Sequence, residues 1–558
     1  MTTRKSTAKS DEVVATQPTY DDIQGLLVNG YRGYNFIRFL IFTIPEANIA
    51  AARNLCKALI PGTAGSLLTI SAATRWSSLD KTTKPPYRLN LGVTQTGLKK
   101  LINPANYTTI YNKSYQLMNR FEMGAADPNT AARVGDIGPS DPANWWPLPA
   151  WQLPNQKPAA TDLDLLFSLY APSAKERDKW YKNLLKMIGK DSAVLAFMQD
   201  SDPLDPAGQK IHFGYRDGIS QPRIGGFSEA DPELDDRPTV ASWHFMIEET
   251  KPIPAAPIPT IPPPPNYTAH PLLKNGSFGA FRLLQQDVKK FEDFINQNGP
   301  KQAELIASKM AGRWRDGTPV EAAPEKPENK RLLNQSLLGE YQLNNFNYIA
   351  PSPHQEPKPA PLGNPDLGQA CPYGAHVRRS NPRDDNSVIG NGDMASLHRV
   401  LRRARPYGPQ YDPKKPASAK QDRGLVGLFI GADLSAQFEF LMNSWITNGH
   451  FSTNDNSPNG SGYDPLFGPP PEAESPETTE FAYCKPGQDP QNPAPGDSSN
   501  YQILPPNPST SGVVQRKLTQ LITIRGGLYV FLPSITALGF LAAGTIPEPI
   551  AQQINRLG

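Results

Sequence analysis

Residues 34–44 read YNFIRFLIFTI, an apolar segment that is rich in β-branched and aromatic residues. This composition is typical of a buried strand. A helical stretch, EANIAAARNLCKALI (46–60), follows it directly. The same order recurs at 277–297, where SFGAFRLLQQ runs into DVKKFEDFINQ. The recurrence indicates two copies of one α+β unit, although identity between the copies is negligible.

The pattern of strand, helix and strand continues outward from these two segments. Ser173 with Glu176 forms a capping-box signature before the helix KERDKWYKNLLKMI (175–188). Further strands are predicted at 165–169, 241–247, 277–283, 425–430 and 521–532. The chain is therefore expected to be an α+β protein.

Clusters of proline divide the 558-residue chain, which contains 60 prolines. Such stretches continue neither a helix nor a central strand, so they are expected to be linkers or surface insertions. The predicted organisation is a flexible tail at 1–20, an N-terminal half at 21–250, a proline-rich linker at 251–275 and a C-terminal half at 276–550. Similar proline-rich material occurs at 351–362, 405–417 and 457–508.

The composition of the chain limits the binding partners and the cell compartment that we expect. Lys plus Arg is 56 and Asp plus Glu is 53, a net charge of +3, which gives no reason to expect nucleic acid or an anionic membrane. The cysteines Cys56, Cys371 and Cys484 are odd in number and far apart, which fits a reducing compartment. The first 22 residues resemble neither a secretion signal nor a twin-arginine leader, and the apolar stretch 521–543 is interrupted by Arg525 and Pro533. We therefore expect a soluble cytoplasmic protein.

The seven histidines show neither HExxH nor His-x-His spacing, which gives little support to a zinc hydrolase. One of them, His376, lies in CPYGAHVRRSNPR (371–383), after a Pro/Gly turn and just before three arginines. A neutral imidazole can ligate haem iron, and nearby guanidinium groups can pair with the haem propionates. A lone histidine among arginines is, however, more often a residue at the surface or core edge.

Two other runs carry charged residues in distinctive settings. In FGYRDGISQP (213–222), glycines flanking Asp217 suggest a tight turn that points the carboxylate into a cleft, although an isolated motif of this kind is usually a simple turn. The run RVLRRARPYG (399–408) is by itself typical of a solvated basic edge.

Read together, these runs and three others form an ordered series. The others are DRGLVGLFIGADLSAQFEF (422–440), YDPLFG (463–468) and ITIRGGLYVFLPS (522–534). The series resembles the dye-decolorising peroxidases, specifically the larger variety with long insertions, over roughly 20–545. The resemblance implies two ferredoxin-like units in a dimeric α+β-barrel-like haem peroxidase fold, with one haem b per chain.

The resemblance also implies roles for individual residues. His376 is expected to be the proximal iron ligand, and Asp464 the hydrogen-bond acceptor for its other ring nitrogen. Arg383 should meet a haem propionate. Asp217 is expected to be the distal acid/base and Arg402 the distal arginine, with Arg403 as the rival because a slip of one residue exchanges them.

One position departs from the family. Relatives usually read GLLF after DRG, whereas this chain has GLVG at 424–427, so Gly427 stands where an aromatic residue is common. The glycine could widen or re-route the distal pocket. Leu425 and Leu428 are the candidates that remain to cover the peroxide.

The chemistry explains why these residue types are wanted. A carboxylate can take a proton from bound hydrogen peroxide and return it to the departing oxygen, and an arginine can stabilise the charge that develops. Arg402 should also keep Asp217 ionised in mildly acidic water, so activity is expected to peak on the acid side of neutrality.

Three interpretations remain open. The first is a peroxidase that reduces hydrogen peroxide and oxidises dyes, phenols or other bulky organic donors. The second is a haem carrier or sensor with little turnover, and the third is a structural protein without haem that uses its proline-rich segments to bind partners. The oligomeric state and the natural donor are not indicated by the sequence.

Overall fold

The structure is a computed structural model, and the residues that it describes are 20–28, 30–73, 84–147, 150–153, 156, 162–225, 227, 239–248, 269–297, 300–324, 343–344, 346–348, 370–385, 394–449, 451, 463–468, 482–484, 501–503, 507–508, 514–515 and 518–546. Nearly all of the predicted tail, and most of the predicted linker at 251–275, lie outside these residues. So do the segment 351–362 and most of 457–508.

Eight antiparallel strands form the main sheet. In chain order they are β1 Phe36–Thr43, β2 Arg88–Val93, β3 Leu165–Ala171, β4 Val194–Ser201, β5 Ser277–Gln286, β6 Leu401–Tyr407, β7 Gly424–Gly431 and β8 Ile522–Leu532. Their order across the sheet is β4-β1-β3-β2-β8-β5-β7-β6. Each half therefore has the same internal order: its fourth strand, then its first, third and second. This confirms the predicted fold of two ferredoxin-like units.

Short helices connect the strands and cover the sheet. The α-helices are α1 Gly25–Val28, α2 Ile49–Ala58, α3 Gln95–Leu101, α4 Pro104–Lys113, α5 Tyr115–Met123, α6 Pro128–Arg133, α7 Ala174–Ser192, α8 Val288–Ile295, α9 Pro300–Ala311, α10 His376–Ser380, α11 Met394–Leu397 and α12 Ile535–Ala543. Two π-helical turns follow β7, at Ser435–Glu439 and Leu441–Ile446. The Ser173 hydroxyl accepts a hydrogen bond from the Glu176 amide at 3.2 Å, as the capping signature predicts.

The two halves join through strands β2 and β8, where Val93 is paired with Phe531. Gly92 makes this junction close, because a Cβ at that position would lie 2.9 Å from the Cβ of Val530. At the far ends of the sheet, residues of the edge strands β4 and β6 come within 8 Å of each other. The sheet therefore curves into the barrel-like form that was predicted.

The core runs through both halves. Phe39 of the first half packs on Phe281 of the second, with ring centroids 5.8 Å apart, and Trp146 stacks on Phe281. All three side chains are at most 7% exposed. Burial of such rings from both halves in one core stabilises their association as a single structure.

One predicted strand is wrong. The segment 241–247 contains the 3-10 helix Ser242–His244 instead. Its backbone closes on itself, since the amides of Phe245 and Met246 both donate to the carbonyl of Ser242. Alternation of apolar and polar residues over so short a run does not distinguish a strand from a buried turn.

Among the helices within the described ranges, none combines the length and the apolar character that a membrane crossing needs.

Candidate active site

His376 is the first residue of helix α10, and its ring is held on one side by a carboxylate. The Nδ1 atom lies 2.7 Å from Oδ2 of Asp464, which is completely buried. The other carboxylate oxygen, Oδ1, accepts hydrogen bonds from the backbone amides of Leu466 and Phe467 at 2.9 and 3.1 Å. Asp464 is thus fixed by its own loop, and it turns Nε2 of His376 to the opposite side.

The electrostatics of this pair favour an ionised carboxylate. Burial alone would raise the pKa of Asp464, but His376, Arg379 and the Phe467 amide outweigh it and the pKa lies below its usual value. Burial likewise acts to lower the pKa of His376, and the charge and hydrogen bond of Asp464 raise it above its usual value. An anionic partner of this kind makes a histidine a more basic ligand.

Part of the His376 side chain is accessible. Its exposed fraction is 33%, whereas the neighbouring residues Ala375, Arg378 and Arg379 are fully buried. The charge of Arg402 lowers the pKa of His376 and that of Asp217 raises it. Asp217 and Arg402 are therefore within electrostatic reach of the imidazole.

Asp217 is presented by a turn with two glycines in left-handed conformations. Gly214 has φ +88° and Gly218 has φ +84°, backbone angles that residues with a side chain rarely adopt. The Asp217 amide donates to the carbonyl of Gln209 at 2.9 Å, which closes the turn. The carboxylate oxygen then lies 3.6 Å from a guanidinium nitrogen of Arg402, and the two side chains are 31% and 28% exposed. Both charged groups thus remain accessible to a small molecule.

Gln221 fixes this turn to strand β6. Its side-chain amide donates to the Arg402 carbonyl at 3.0 Å, and its Oε1 accepts from the Arg402 backbone amide at 3.1 Å. Gln221 thus binds both backbone groups of Arg402 and holds strand β6 against the turn that carries Asp217. The sequence analysis quoted this glutamine inside its motif but assigned it no role. The signal available in the sequence was its position, four residues after Asp217.

Arg402 and Arg403 lie on opposite faces of β6, because side chains alternate along a strand. Arg403 donates to the backbone carbonyls of Leu26 and Leu27 at 2.8 and 3.3 Å, whereas Arg402 is the arginine that pairs with Asp217. The geometry thus distinguishes the two candidates for the distal arginine and favours Arg402.

The same alternation separates the two leucines of β7. Phe429 is paired with Arg402 and Pro406 with Leu425, so Leu425 and Phe429 share the face of Arg402. Leu428 is paired with Arg403 and lies on the other face, 1% exposed and against Gly279. The structure therefore corrects the expected position of Leu428: it is a core residue that points away from the Asp217–Arg402 pair.

The ring of Phe429 fills the space beside Gly427. A Cβ at Gly427 would lie 2.8 Å from the nearest atom of the Phe429 ring. The aromatic group missing from position 427 is thus replaced by a ring two residues along, on the same face of the strand.

The three arginines after His376 have different environments. Arg378 forms a fully buried ion pair with Asp385 at 2.7 Å. Arg379 donates to the backbone carbonyls of residues 374, 445 and 448. These partners of both side chains belong to the protein itself. Arg383 is therefore the candidate among the three arginines for a contact with a propionate.

Arg383 lies in a setting that suits an anion. Its guanidinium donates to the carbonyls of Asn344 and Phe346 at 3.1 and 2.9 Å, and its buried Nε has no hydrogen-bond partner among the described residues. The backbone of Arg383 has φ +55°, a conformation uncommon for a residue other than glycine. Such outliers persist where the surroundings impose them, often at binding sites.

A second guanidinium near Arg383 was missed by the sequence analysis. Arg313 is 6% exposed, and burial together with the like charges of Arg383 and Arg402 lowers its pKa to about 9. Within the described residues neither Arg313 nor Arg383 forms an ion pair with a carboxylate. The Arg313 guanidinium donates to the carbonyls of Gly317 and Leu343 at 2.8 and 2.6 Å and to the Ser220 hydroxyl at 2.9 Å, so it is bound within the protein, as Arg379 is. The signal in the sequence, RWRDG at 313–317, matches none of the motifs quoted above.

These features suit a haem. The free nitrogen of His376 could bind the iron, and Arg383 could offer its guanidinium group to a propionate. No cluster of three or more histidine, cysteine or acidic side chains in the described part of the chain could bind a metal ion by itself. A single histidine is, however, sufficient for an iron whose remaining ligands belong to a porphyrin.

The comparisons with known proteins agree with this geometry. No family model matches the chain. Among curated proteins, Peroxidase 2 of Mycetinis scorodonius is 26% identical over 534 residues, which cover 93% of this chain and 86% of that protein. The dye-decolorizing peroxidase AauDyP1 of Auricularia auricula-judae is 25% identical over 548 residues, covering 95% and 88%.

Solved structures resemble the fold over nearly its whole length. A fungal DyP-type peroxidase from Auricularia auricula-judae has a TM-score of 0.66 at 23% identity, covering 95% of this chain and 100% of that one. A dye-decolorizing peroxidase in complex with 2,6-dimethoxyphenol has a TM-score of 0.63 at 23% identity, covering 94% and 99%. At this level of identity the likeness concerns the fold.

Proposed function

We propose that this chain is a peroxidase of the dye-decolorising type, as the curated relatives that it resembles are, and that it reduces hydrogen peroxide at a haem b bound by His376 and oxidises dyes or phenolic donors. One observation carries the proposal. The His376–Asp464 pair, at 2.7 Å and with a third of the His376 side chain accessible, is within electrostatic reach of the Asp217–Arg402 pair, whose charged atoms are 3.6 Å apart.

On the proximal side, Asp464 and His376 act together. The haem iron supplies the redox chemistry when it is bound. The task of Asp464 is to orient the imidazole ring and to increase its electron donation, which supports a higher oxidation state of the metal. Arg383 would hold a propionate in this proposal.

On the distal side, Asp217 moves the proton. Its carboxylate would accept the proton from one oxygen of hydrogen peroxide and return it to the other, which leaves as water; the haem, when bound, would retain the first oxygen and supply the two electrons that the cleavage consumes. Arg402, 3.6 Å away, stabilises the negative charge that develops while the oxygen–oxygen bond breaks. The Gln221 clamp holds the two groups at this separation.

The experiment tests haem binding and turnover separately. The protein is expressed with haem supplementation, and its Soret band and its peroxide-dependent oxidation of 2,6-dimethoxyphenol are measured for the parent and for Asp217→Asn, Arg402→Leu and His376→Ala. We expect the two distal variants to retain the Soret band and to lose about 10²- to 10⁴-fold in turnover. His376→Ala should lose or shift the band. Lys420→Gln, which removes an exposed positive charge on another segment, is the control.

Two results would overturn the proposal. A purified protein that stays colourless after haem supplementation excludes a haem enzyme. A coloured parent that does not oxidise the phenol, or distal variants with the turnover of the parent, would leave the haem carrier or sensor as the better interpretation.

A further inference from the structure

The turn that carries Asp217 is linked to Arg383 by a continuous line of hydrogen bonds. Three residues after Asp217, the Ser220 hydroxyl accepts a hydrogen bond from the Arg313 guanidinium at 2.9 Å. The same hydroxyl donates to the side-chain oxygen of Asn344 at 2.9 Å. That oxygen also accepts a hydrogen bond from Arg383, again at 2.9 Å. One hydroxyl and one amide therefore join two guanidinium groups that lie far apart in the chain.

The direction of each bond in this line is fixed by its chemistry. A guanidinium group donates hydrogen bonds and accepts none, so Ser220 must accept from Arg313 and Asn344 must accept from Arg383. The single hydroxyl proton of Ser220 is then available for the Asn344 oxygen, which accepts both of its bonds. Exchange of the amide oxygen and nitrogen of Asn344 would place donor against donor. The line therefore has one favourable arrangement.

The line is buried, and its guanidinium groups are held on more than one side. Arg313 and Asn344 are each 6% exposed. A second nitrogen of Arg313 donates to two backbone carbonyls at 2.8 and 2.6 Å, and a second nitrogen of Arg383 donates to two others at 3.1 and 2.9 Å. Because these groups have little freedom, a shift of the Arg383 guanidinium is expected to reach Ser220 through packed, hydrogen-bonded neighbours.

The turn also contacts neighbouring segments in ways that do not involve this line. The Arg216 amide donates to the Arg315 carbonyl at 3.0 Å, and Gln221 bonds to the backbone of strand β6. These contacts locate the turn whether or not a cofactor is bound. The Ser220 hydroxyl differs from them, because its line ends at Arg383, the residue that would contact a propionate.

We propose that Ser220 is a positioning residue that couples haem binding at Arg383 to the placement of Asp217. The inference rests on the proposed function, because it takes Arg383 as a residue that holds a propionate. A propionate at Arg383 restricts the guanidinium, and the line through Asn344 then restricts the turn. Coupling of this kind is reciprocal: if haem orders the turn, the bond at Ser220 strengthens haem binding by the same factor.

A purely structural role for Ser220 leads to a different expectation. The hydroxyl would then serve only as an acceptor for the buried guanidinium of Arg313. Its removal would loosen the turn by the same factor with and without haem, and haem affinity would not change. The comparison of the haem-free with the haem-bound protein therefore separates the two roles.

Hydrogen–deuterium exchange of the full chain, with and without haem, measures the coupling directly. Exchange of the backbone amides at 213–221 is followed for the parent, Ser220→Ala and Ser220→Thr. We expect haem to slow this exchange at least about fivefold in the parent and in Ser220→Thr, which keeps the hydroxyl, and less than about twofold in Ser220→Ala. Ser66→Ala is the matched control, since Ser66 is also half-buried and its hydroxyl donates to the Ala58 carbonyl.

Haem titration and kinetics supply the reciprocal measurement. Ser220→Ala should weaken haem binding about fivefold or more, followed by the Soret absorbance. At saturating haem it should lower kcat about tenfold, while KM for 2,6-dimethoxyphenol changes little. In an Arg383→Met background, Ser220→Ala should change haem affinity less than about twofold, because the line is already interrupted.

Equal slowing by haem in the parent and Ser220→Ala, with equal haem affinity, would overturn the inference and leave the proposed function intact. A parent that binds haem but does not oxidise the phenol would count against the function, and the exchange experiment would still decide the coupling. A parent that binds no haem would overturn both. Asn344→Ala interrupts the line at its other member, so it should reproduce the loss of coupling if Ser220→Ala fails to fold; a parent-like response to haem in Asn344→Ala would also contradict the inference.

Discussion

Asp464 accepts three hydrogen bonds with its two oxygens, one from His376 and two from backbone amides of its own loop. This arrangement fixes both the position and the ionised state of the carboxylate. Because a histidine ligand is oriented by the group on its other nitrogen, the geometry at Asp464 matters as much for haem as the histidine itself.

We predict that Asp464→Asn weakens haem binding about 10- to 100-fold, since the amide preserves the shape and one acceptor but removes the charge. The measurement is titration of the apoprotein with haem, followed by the Soret absorbance. Asp412→Asn, at a turn remote from His376 in the sequence, is the control and should titrate as the parent does. Unchanged haem affinity in Asp464→Asn would show that the pair is structural.

Asp217 as proton acceptor has a consequence for pH. A carboxylic acid loses its proton at a lower pH than an imidazolium does, so a carboxylate base can act in more acidic solution than a histidine base. We predict that kcat/KM for peroxide is highest below about pH 7, and that Asp217→His moves the maximum towards neutrality. A parent enzyme with its maximum above about pH 7 would argue against Asp217 as the base.

Gly427 and Phe429 are coupled by their packing. Alanine in place of glycine normally stabilises a strand, but here the added Cβ would lie 2.8 Å from the Phe429 ring. We predict that Gly427→Ala lowers the free energy of unfolding by about 1–3 kcal/mol, measured by urea denaturation. In the Phe429→Leu background, Gly427→Ala should lower the free energy of unfolding by a smaller amount. The double-mutant cycle gives the coupling energy between the two positions. Equal costs in the two backgrounds would mean that the ring moves aside freely.

At this scale the sequence predicted types of residue better than their orientation. His376 pairs with Asp464 at 2.7 Å and Asp217 with Arg402 at 3.6 Å, and the roles assigned to these residues stay predictions. The sequence left Arg402 and Arg403 open and gave Leu428 the wrong face, since one residue of register reverses every side chain of a strand. The strand pairing that decides between them depends on contacts far away in the chain.

Strand β6 and the turn at 213–222 form one unit through Gln221. The glutamine bonds to both backbone groups of Arg402, which an ordinary edge strand would leave to water or a partner. The separation of Asp217 from Arg402 therefore depends on a contact between two elements as well as on the two side chains.

We predict that Gln221→Leu reduces turnover more than stability. Loss of two hydrogen bonds should lower the free energy of unfolding by about 1–3 kcal/mol. The displacement of Asp217 relative to Arg402 should lower kcat about 10- to 100-fold, because a misplacement of 1 Å has effects of that size. Soret absorbance, steady-state kinetics and denaturation separate the three quantities. Gln421→Leu, an exposed glutamine after β6, is the matched control. A Gln221→Leu enzyme with normal kcat would show that the turn at 213–222 keeps Asp217 in position without the Gln221 hydrogen bonds.

Elements were predicted well where their period was clear and poorly where it was short. The strands around 34–44, 277–286 and 522–532 and the capped helix α7 follow their sequence patterns. The 241–247 segment did not. The two π-helical turns after β7 were not predicted either, and the first of them contains Gln437, which bonds to the distant carbonyls of His244 and Arg399.

On the scale of the whole molecule, the site lies where the two ferredoxin-like halves meet. The first half supplies Asp217, and the second half supplies Arg402, His376 and Asp464. The recurrence of strand and helix predicted two units, and the common strand order confirms it. The sequence did not indicate that β2 would pair with β8, because this junction depends on Gly92 and on packing between distant segments.

His212 links the two halves, and its protonation is expected to reduce the stability of the fold at low pH. It is 8% exposed, and its Nε2 lies 2.8 Å from the carbonyl of Tyr407 on strand β6, so a turn of the first half is bonded to the second half by a neutral imidazole. Burial lowers the pKa of His212 to about 4, against the effect of the Tyr407 bond and together with the charge of Arg423. Because the unfolded chain takes up this proton at about pH 6.5, stability is full above that pH and is lost progressively as pH falls towards the folded value.

We predict that the free energy of unfolding falls by about 2–3 kcal/mol between about pH 7 and pH 4.5 through His212 alone. His212→Gln keeps a donor for Tyr407 without a titratable group, so it should reduce this fall while it lowers stability slightly at neutral pH. Urea denaturation at the two pH values gives the difference for the parent, His212→Gln and the control Lys420→Gln. A variant that loses as much as the parent would assign the acid sensitivity to other groups, such as His270, whose pKa burial also lowers to about 4. If His212 dominates, the substitution would extend the stability of the enzyme into the mildly acidic range in which Asp217 is expected to act.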